Sequence, residues 1–178
     1  HAIDHATERI LIINPYFTLC RHIKRALKRA AQRGVDVQVM VSAKSDIPIT
    51  PRIVEYNVHK LMKRGVKVYF FEGGFHHSKI MMVDNSYSFI GSANLNSRSL
   101  SFDYECNILV ADTCTTAELQ TIFFTDRDTR CFELTPEIWK QWGRWKKFKG
   151  WFFHFLMPFV QCDKHDMLAP DFDEFTTQ

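Results

Sequence analysis

The first 71 residues alternate between short apolar runs and longer amphipathic segments, and this alternation limits the choice of fold more than any other feature. Three β-branched, apolar runs have the length and composition of buried strands: residues 9–14, 35–41 and 66–71. Two segments between them have apolar residues at helical spacing: residues 19–33 and 52–63. This β-α-β-α-β order predicts a parallel sheet with helices packed on its faces.

The rest of the chain adds strands and then changes character. Three further strands are predicted at residues 79–83, 87–90 and 105–111, followed by a helix from Asp112 or Thr113 to about residue 125. Thr135 followed by Pro136 is typical of a helix start. The predicted fold class is therefore α/β, a mixed β-sheet sandwiched by helices. We divide the chain into a lobe at residues 1–133 and a basic, aromatic, helical tail at residues 134–178.

Composition and charge exclude several classes of protein. The 178 residues fit about one domain, and a hydrophobic share of 46% excludes a disordered chain. Five widely spaced cysteines without a C-x-x-C pair indicate neither a disulfide framework nor a zinc knuckle. Lys and Arg (23) barely outnumber Asp and Glu (20), but the basic residues cluster in two stretches. We therefore expect local contacts with anions rather than a field over the whole surface.

One stretch carries the residue types of phosphate chemistry. His77, Lys79 and Asp84 follow the spacing H-x-K-x4-D, and a G-S-x-N segment then supplies Ser92 and Asn94. If residues 79–83 form a strand, His77 and Lys79 project from the same face. The Lys79 ammonium offers a positive charge with several donors, and an imidazole attacks phosphorus or delivers a proton near neutral pH. Ser92 and Asn94 follow a strand end, where they are placed to hydrogen-bond phosphate oxygens.

A structural role for this histidine is the alternative. Short His-x-Lys pairs arise by chance, and His22 and Lys24 form such a pair on a predicted helix with no aspartate in register. Around His77 the whole pattern is in register on a strand, a turn and a second strand. The sequence therefore favours a functional site at His77.

This pattern resembles the signature of the phospholipase D superfamily. Other segments resemble the C-terminal half of bacterial cardiolipin synthases: residues 14–17, 33–37, 65–68, 91–95 and 98–99. The likeness extends over roughly residues 8–160. It implies one lobe of a phospholipase D-like fold, with a reaction that uses neither metal nor cofactor.

The resemblance also implies roles for individual residues. Two signature copies meet at one active site, where one histidine becomes a phospho-histidine and the other protonates the leaving alcohol. His77 corresponds to the second copy, so we expect it to act as general acid and later as the base that activates the incoming alcohol. Lys79 would bind phosphate oxygens, with Ser92 and Asn94 assisting.

Two carboxylates complete the expected catalytic set. Glu105 matches the carboxylate that hydrogen-bonds and orients the catalytic histidine. Asp84 is expected to support the loop and Lys79.

Only one signature copy is present, which leaves two arrangements open. Either the chain is half of a longer protein, which its start at His1 rather than Met favours, or two copies pair as a homodimer. The expected function is phosphatidyl transfer between phospholipids through a phospho-histidine, making cardiolipin. The alternatives are a metal-independent phosphodiesterase or endonuclease working as a homodimer, and a catalytically silent lipid-binding lobe, which the intact motif disfavours.

The tail determines the expected partners and location. Residues 139–159 interleave Trp and Phe with Lys, and their nearly all-apolar run at residues 151–157 is too short to span a bilayer. They fit either an interfacial membrane segment or a helix that docks on the protein, and the sequence favours neither. Expected partners are an anionic phospholipid substrate, a membrane surface and a second lobe with another H-x-K motif, with nucleic acid less favoured. The expected location is the bacterial cytoplasmic membrane.

Overall fold

The computed structural model describes residues 1–161, with side chains described through residue 156. Residues 162–178, the end of the predicted tail, lie outside the described residues. Within residues 1–161, seven strands form one sheet: β1 (Arg9–Ile13), β2 (Asp36–Ser42), β3 (Lys67–Phe71), β4 (Ile80–Val83), β5 (Tyr87–Gly91), β6 (Asn107–Val110) and β7 (Cys131–Glu133). The helices of the described residues are α1 (Ala2–His5), α2 (Arg21–Gln32), α3 (Thr50–Met62), α4 (Ser97–Ser101), α5 (Thr113–Arg130), α6 (Pro136–Gln141) and α7 (Arg144–Gln161).

The sheet is mixed, as predicted. Its strand order is β6-β5-β4-β1-β2-β3-β7, in which β1, β2 and β3 run parallel and every other neighbouring pair is antiparallel. The β-α-β-α-β order at the start of the chain is confirmed, with helices α2 and α3 as its two crossovers. Helices α1 and α4 and strand β7 have no counterpart among the predicted elements.

The register brings several strand ends to one edge of the sheet. Ile13, at the end of β1, lies opposite Ile80, at the start of β4, and Ile80 lies opposite Ile90 near the end of β5. Because β2 and β3 run parallel to β1, their carboxyl ends lie at this same edge. In α/β sheets, ligands bind in the crevice beyond the carboxyl ends of the strands. We call this edge the carboxyl edge.

The core has two layers because side chains alternate along each strand. Ile10 and Ile12 of β1 point into the larger cluster, which the helices α2 and α3 cover with residues such as Leu27 and Val58. The intervening residues of β1 join Met40, Met82 and Phe123 in a second cluster under α5. Helices therefore cover both faces of the sheet, which confirms the predicted fold class.

The helices after β7 pack back onto the lobe. Leu134 is buried in the larger core cluster, and the ring of Trp139 in α6 stacks on His59 of α3 with 3.8 Å between ring centroids. Burial lowers the pKa of His59 to about 4, so this imidazole is neutral at physiological pH. The boundary near residue 133 stays a prediction. No helix within residues 1–161 is both long and apolar enough to cross a membrane.

Candidate active site

His77 and Lys79 line one cavity at the carboxyl edge. The cavity has a volume of about 450 Å³. Its lining comes from the approach to β4 and from the end of β5: His77, Ser78, Lys79, Ile80, Ile90, Gly91, Ser92 and Asn94. Four of the residues predicted as site residues are therefore brought together, and the volume lies in the range of small-molecule sites.

The geometry that brings the pair together differs from the sequence prediction. Strand β4 begins at Ile80, so His77 and Lys79 lie on the irregular segment that enters the strand rather than on the strand itself. Ser42, at the end of β2, fixes this segment: its hydroxyl donates to the carbonyl of Gly74 and accepts from the amide of His76, both at 3.2 Å. The predicted strand start at residue 79 is thus one residue early, and both residues reach the cavity.

The imidazole of His77 is exposed and contacts aromatic rings. Its ring centroid lies 5.9 Å from that of Tyr16 and 5.1 Å from that of Phe75. Among the side chains that the structure describes, its nitrogens have no hydrogen-bond partner. These nitrogens are therefore available to a ligand in the cavity, and the rings restrict the orientation of the imidazole.

Its neighbour in the chain, His76, occupies a different environment. His76 is half-buried against the ring of Phe71, and its Nε2 lies 3.7 Å from a carboxylate oxygen of Asp126 in α5. Burial lowers the pKa of His76, and the carboxylate of Asp126 opposes that shift. Of the two adjacent histidines, only His77 lines the cavity.

Tyr16 is a site residue to which the sequence analysis gave no role. Its hydroxyl donates a hydrogen bond to the carboxylate of Asp46. Burial, together with this bond, raises the pKa of Tyr16 to about 12, so the phenol keeps its proton at physiological pH. The signal was available, because residues 14–17 follow β1 and residues 43–46 follow β2. Parallel strands place both loops at the carboxyl edge.

Lys79 supplies the positive charge of the cavity. Its Nζ donates to the backbone carbonyl of His77 at 2.8 Å, which ties the two residues together. Burial lowers the pKa of Lys79, and the carboxylates of Glu105 and Asp46 oppose that shift. A partly buried ammonium in the lining of a cavity is suited to binding an anionic oxygen.

Ser92 and Glu105 form a linked pair beside the cavity. The Ser92 hydroxyl donates to the Glu105 carboxylate and accepts from the amide of Cys106 at 3.0 Å. Hydrogen bonds from Ser92 and Ser99 hold the pKa of Glu105 below its usual value. The hydroxyl proton of Ser92 is thus already donated to a carboxylate. The orienting role of Glu105 towards a histidine and the phosphate-binding role of Ser92 stay predictions.

The loop after β5 is held by close backbone packing and by asparagines. A Cβ atom on Gly91 would lie 2.4 Å from the carbonyl oxygen of Cys106, so only glycine fits there. Asn14, at the end of β1, donates to the carbonyl of Ala93 and accepts from the amide of Leu95, both at 3.4 Å. Asn94 therefore sits on a fixed loop. Its buried Oδ1 has no hydrogen-bond partner among the described residues.

Asp84 lies away from the cavity, at the other end of β4. Its carboxylate accepts hydrogen bonds from the amides of Thr7, Glu8 and Arg9, at 2.8–3.3 Å, and from the Thr7 hydroxyl. Burial raises the pKa of Asp84, but these hydrogen bonds outweigh burial and keep it below its usual value. Asp84 thus anchors the start of β1, and it reaches Lys79 only through strand β4.

The cavity groups suit phosphodiester chemistry more than metal binding. In the part of the chain that the structure describes, no three His, Cys, Asp or Glu side chains come together as metal ligands would. The cavity instead offers one imidazole, one ammonium and one amide. These groups attack or protonate, neutralise charge and donate hydrogen bonds, which are the needs of a displacement at phosphorus.

Comparison with known proteins gives consistent matches. A family model described as cardiolipin synthase, PLD-like domain, matches residues 1–127. Cardiolipin synthase from Listeria welshimeri is 31% identical over 158 residues, which cover 89% of this chain and 33% of that protein. Cardiolipin synthase A from Pseudomonas putida is 35% identical over 136 residues, which cover 76% of this chain and 28% of that protein. The chain thus spans about a third of the length of the curated relatives it matches.

Solved structures match as well. A phospholipase D family member, Nuc from Salmonella typhimurium, superimposes with a TM-score of 0.63 at 22% identity, covering 75% of this chain and 86% of that one. Phosphatidylserine synthase from Haemophilus influenzae gives a TM-score of 0.65 at 16% identity. The match covers 90% of this chain and 42% of that one. At these identities the likeness shows the shared fold.

Proposed function

The chain belongs to the family of cardiolipin synthase PLD-like domains, and on that premise we propose that it carries half of an active site for phosphatidyl transfer between phospholipids. The observation that carries the proposal is that the imidazole of His77 and the ammonium of Lys79 line the same cavity. The substrates would be phosphatidylglycerol, or a related anionic lipid, and an alcohol on a second lipid. The product would then be cardiolipin, and its synthesis would take place at the bacterial cytoplasmic membrane.

The reaction proceeds in two displacements. A histidine nitrogen of the second lobe attacks phosphorus of the donor lipid, while His77 gives its proton to the departing glycerol oxygen. The resulting phospho-histidine is then attacked by the acceptor hydroxyl, whose proton passes to His77 as the phosphorus–nitrogen bond breaks. Covalent catalysis thereby divides one difficult displacement into two, and His77 ends each cycle with its proton restored.

The charge balance of the cavity supports the need for a second lobe. One ammonium faces the phosphodiester site, and the carboxylates of Glu105 and Asp46 act on that same ammonium. Two displacements at an anionic phosphorus need more positive charge and a second imidazole. Strand β6 offers the place for that lobe, since its Ile108 is an exposed edge residue directly opposite Ile90 of the cavity lining.

Product analysis tests the proposed reaction. Turnover is measured on the assembly that supplies both lobes, either a dimer of this chain or a longer protein that carries it, with phosphatidylglycerol vesicles as substrate. We expect cardiolipin and free glycerol to form in equal amounts, and mass spectrometry measures both products. Phosphatidic acid alone would indicate hydrolysis, and cleavage of plasmid DNA without lipid turnover would favour the homodimeric phosphodiesterase.

The charge of Lys79 should determine both the rate of turnover and its alkaline limit, the pH above which turnover falls. We expect Lys79→Met to lower turnover by about 10²-fold, because a preorganised cation at the developing charge is lost. Burial lowers the pKa of Lys79 below its usual 10.5. The wild-type ammonium therefore loses its proton, and the enzyme its rate, at a lower pH than an ordinary lysine would.

Lys79→Arg is the matched control for this pH effect. Arginine keeps its charge throughout the accessible range, so the variant should retain more activity than Lys79→Met and move the alkaline limit to higher pH. The measurement is turnover against pH for the three proteins. An alkaline limit that is the same in the wild type and in Lys79→Arg would assign that limit to another group.

A further inference from the structure

Helix α7 carries a continuous aromatic surface on its outward side. Six large apolar side chains in about three turns are between 36% and 67% exposed: Trp145, Phe148, Trp151, Phe152, Phe155 and Leu156. Their rings form a connected strip, with Phe148 lying 5.5 Å from Trp145 and 5.7 Å from Trp151 between ring centroids. We call these six residues the α7 aromatic face.

The opposite side of α7 is seated on α3. Gly150 lies so close to α3 that a Cβ atom there would be 2.9 Å from the carbonyl oxygen of Arg52. Lys146 forms an ion pair with Glu55 at 3.0 Å, and the ring of His154 packs against Tyr56 with 5.1 Å between centroids. The helix therefore already has its place on the lobe, and the α7 aromatic face is the side that α3 leaves uncovered.

The charged side chains of the segment that carries the α7 aromatic face have one sign. Residues 138–161 contain no Asp or Glu. They contain five Lys and Arg residues, Lys140, Arg144, Lys146, Lys147 and Lys149, of which Lys146 is paired with Glu55 on the α3 side. Lys149 flanks the face directly, since its Nζ lies 5.5 Å from the centre of the Trp145 ring. A ligand that matches this surface has an apolar region that contacts the rings and anionic groups that contact the lysines.

We propose that the α7 aromatic face docks the chain onto the surface of an anionic phospholipid bilayer. Trp and Phe rings lying between Lys side chains fit the boundary between headgroups and acyl chains, where lysine also meets anionic headgroups. A protein partner fits less well, because lysine is depleted from protein interfaces. The choice of an anionic lipid rests on the proposed function, whereas the docking itself involves none of the cavity residues.

The position of α7 also separates this surface from the second lobe. Helix α7 packs on α3, which contacts β3, whereas the exposed edge beside the cavity is β6 at the other end of the strand order. A lobe seated on β6 therefore leaves the α7 aromatic face open. The chain would use one surface to complete its active site and another to reach the bilayer.

Vesicle binding by the whole 178-residue chain tests the proposal. Cosedimentation is measured with vesicles of equal parts phosphatidylglycerol and phosphatidylcholine, and with phosphatidylcholine alone. We expect Phe148→Ser/Phe155→Ser to weaken binding to the anionic vesicles at least about tenfold. The matched control, Ile47→Ser/Ile122→Ser, removes two exposed apolar side chains outside α7 and should bind as the wild type does.

Further measurements separate loss of docking from misfolding and from loss of catalysis. Circular dichroism should show the same fold in all variants, because the replaced side chains are exposed. The wild type should bind phosphatidylcholine vesicles at least about tenfold more weakly than the anionic ones, and salt should weaken the anionic binding. His77→Asn should bind vesicles like the wild type, which distinguishes failure of docking from failure of the proposed reaction.

Several outcomes would overturn the proposal. The first is a wild type that does not bind anionic vesicles, and the second is a Phe148→Ser/Phe155→Ser variant that binds them as the wild type should. The third is a control variant that loses as much vesicle binding as Phe148→Ser/Phe155→Ser. A wild type that self-associates without lipid, and loses this association in Phe148→Ser/Phe155→Ser, would assign the α7 aromatic face to a second copy of the chain instead.

Discussion

We expect His77→Asn to lower the rate of phosphatidyl transfer about 10³-fold, within the range that general acid–base catalysis contributes. Asparagine keeps a planar polar group of similar reach but neither attacks phosphorus nor shuttles a proton at neutral pH. His77 is exposed, and its ring contacts are with Tyr16 and Phe75. Its replacement should therefore leave the free energy of unfolding almost unchanged, and the measurement pairs turnover with thermal unfolding.

His22→Asn is the matched control for this prediction. His22 is exposed on α2 and begins its own His-x-Lys triplet with Lys24, so it shares the short pattern but is not among the residues that line the cavity. We expect His22→Asn to keep wild-type turnover. Full activity in His77→Asn, or an equal loss in both variants, would contradict the assignment of the active site to the cavity.

A change of leaving group distinguishes the two possible roles of His77. A donor whose leaving group is an acidic phenol needs no proton in the first displacement. If His77 is the general acid, His77→Asn should recover much of the lost rate in the first step with such a donor and still release an initial burst of phenol. If His77 is the nucleophile, the variant should show no burst with either donor, because no phospho-histidine forms.

The parts of the fold that the sequence predicted are those with long, regular patterns. Strands β1, β2 and β3 and helices α2 and α3 were predicted within two residues of their ends, because each is a full apolar run or a full amphipathic helix. The phospholipase D resemblance is confirmed by the family match. The cavity was predictable to the same degree, since His77, Lys79, Ser92 and Asn94 belong to segments that meet at one edge.

The elements that were missed owe their structure to distant contacts. Strand β7 is three residues long, and it is a strand because it pairs with β3, as Phe132 does with Phe70. The bond between Tyr16 and Asp46 likewise joins two loops that only the parallel sheet brings together. A periodic pattern within one segment carries no information on such pairings.

The exposed edge of the sheet gives the second large effect. We expect Ile108→Asp to lower turnover by at least about 10²-fold, because a carboxylate in a desolvated interface disfavours pairing by several kcal/mol. Ile108 is 62% exposed and lies opposite Ile90, which lines the cavity, so a lobe seated there would contribute its groups to the same site. The isolated lobe should keep its stability within about 1 kcal/mol, since exposed strand positions are tolerant.

Ile122→Asp separates loss of pairing from loss of an apolar surface. Ile122 is 55% exposed on α5 and lies outside the cavity lining and the β6 edge, so the same charge placed there should leave turnover intact. The measurement combines turnover with particle mass from sedimentation if the active form is a dimer, or with resistance to proteolysis between the lobes if one chain holds both. An Ile108→Asp variant that stays paired and fully active would show that the active site is completed from another side, and the dependence of catalysis on the β6 edge would then be wrong.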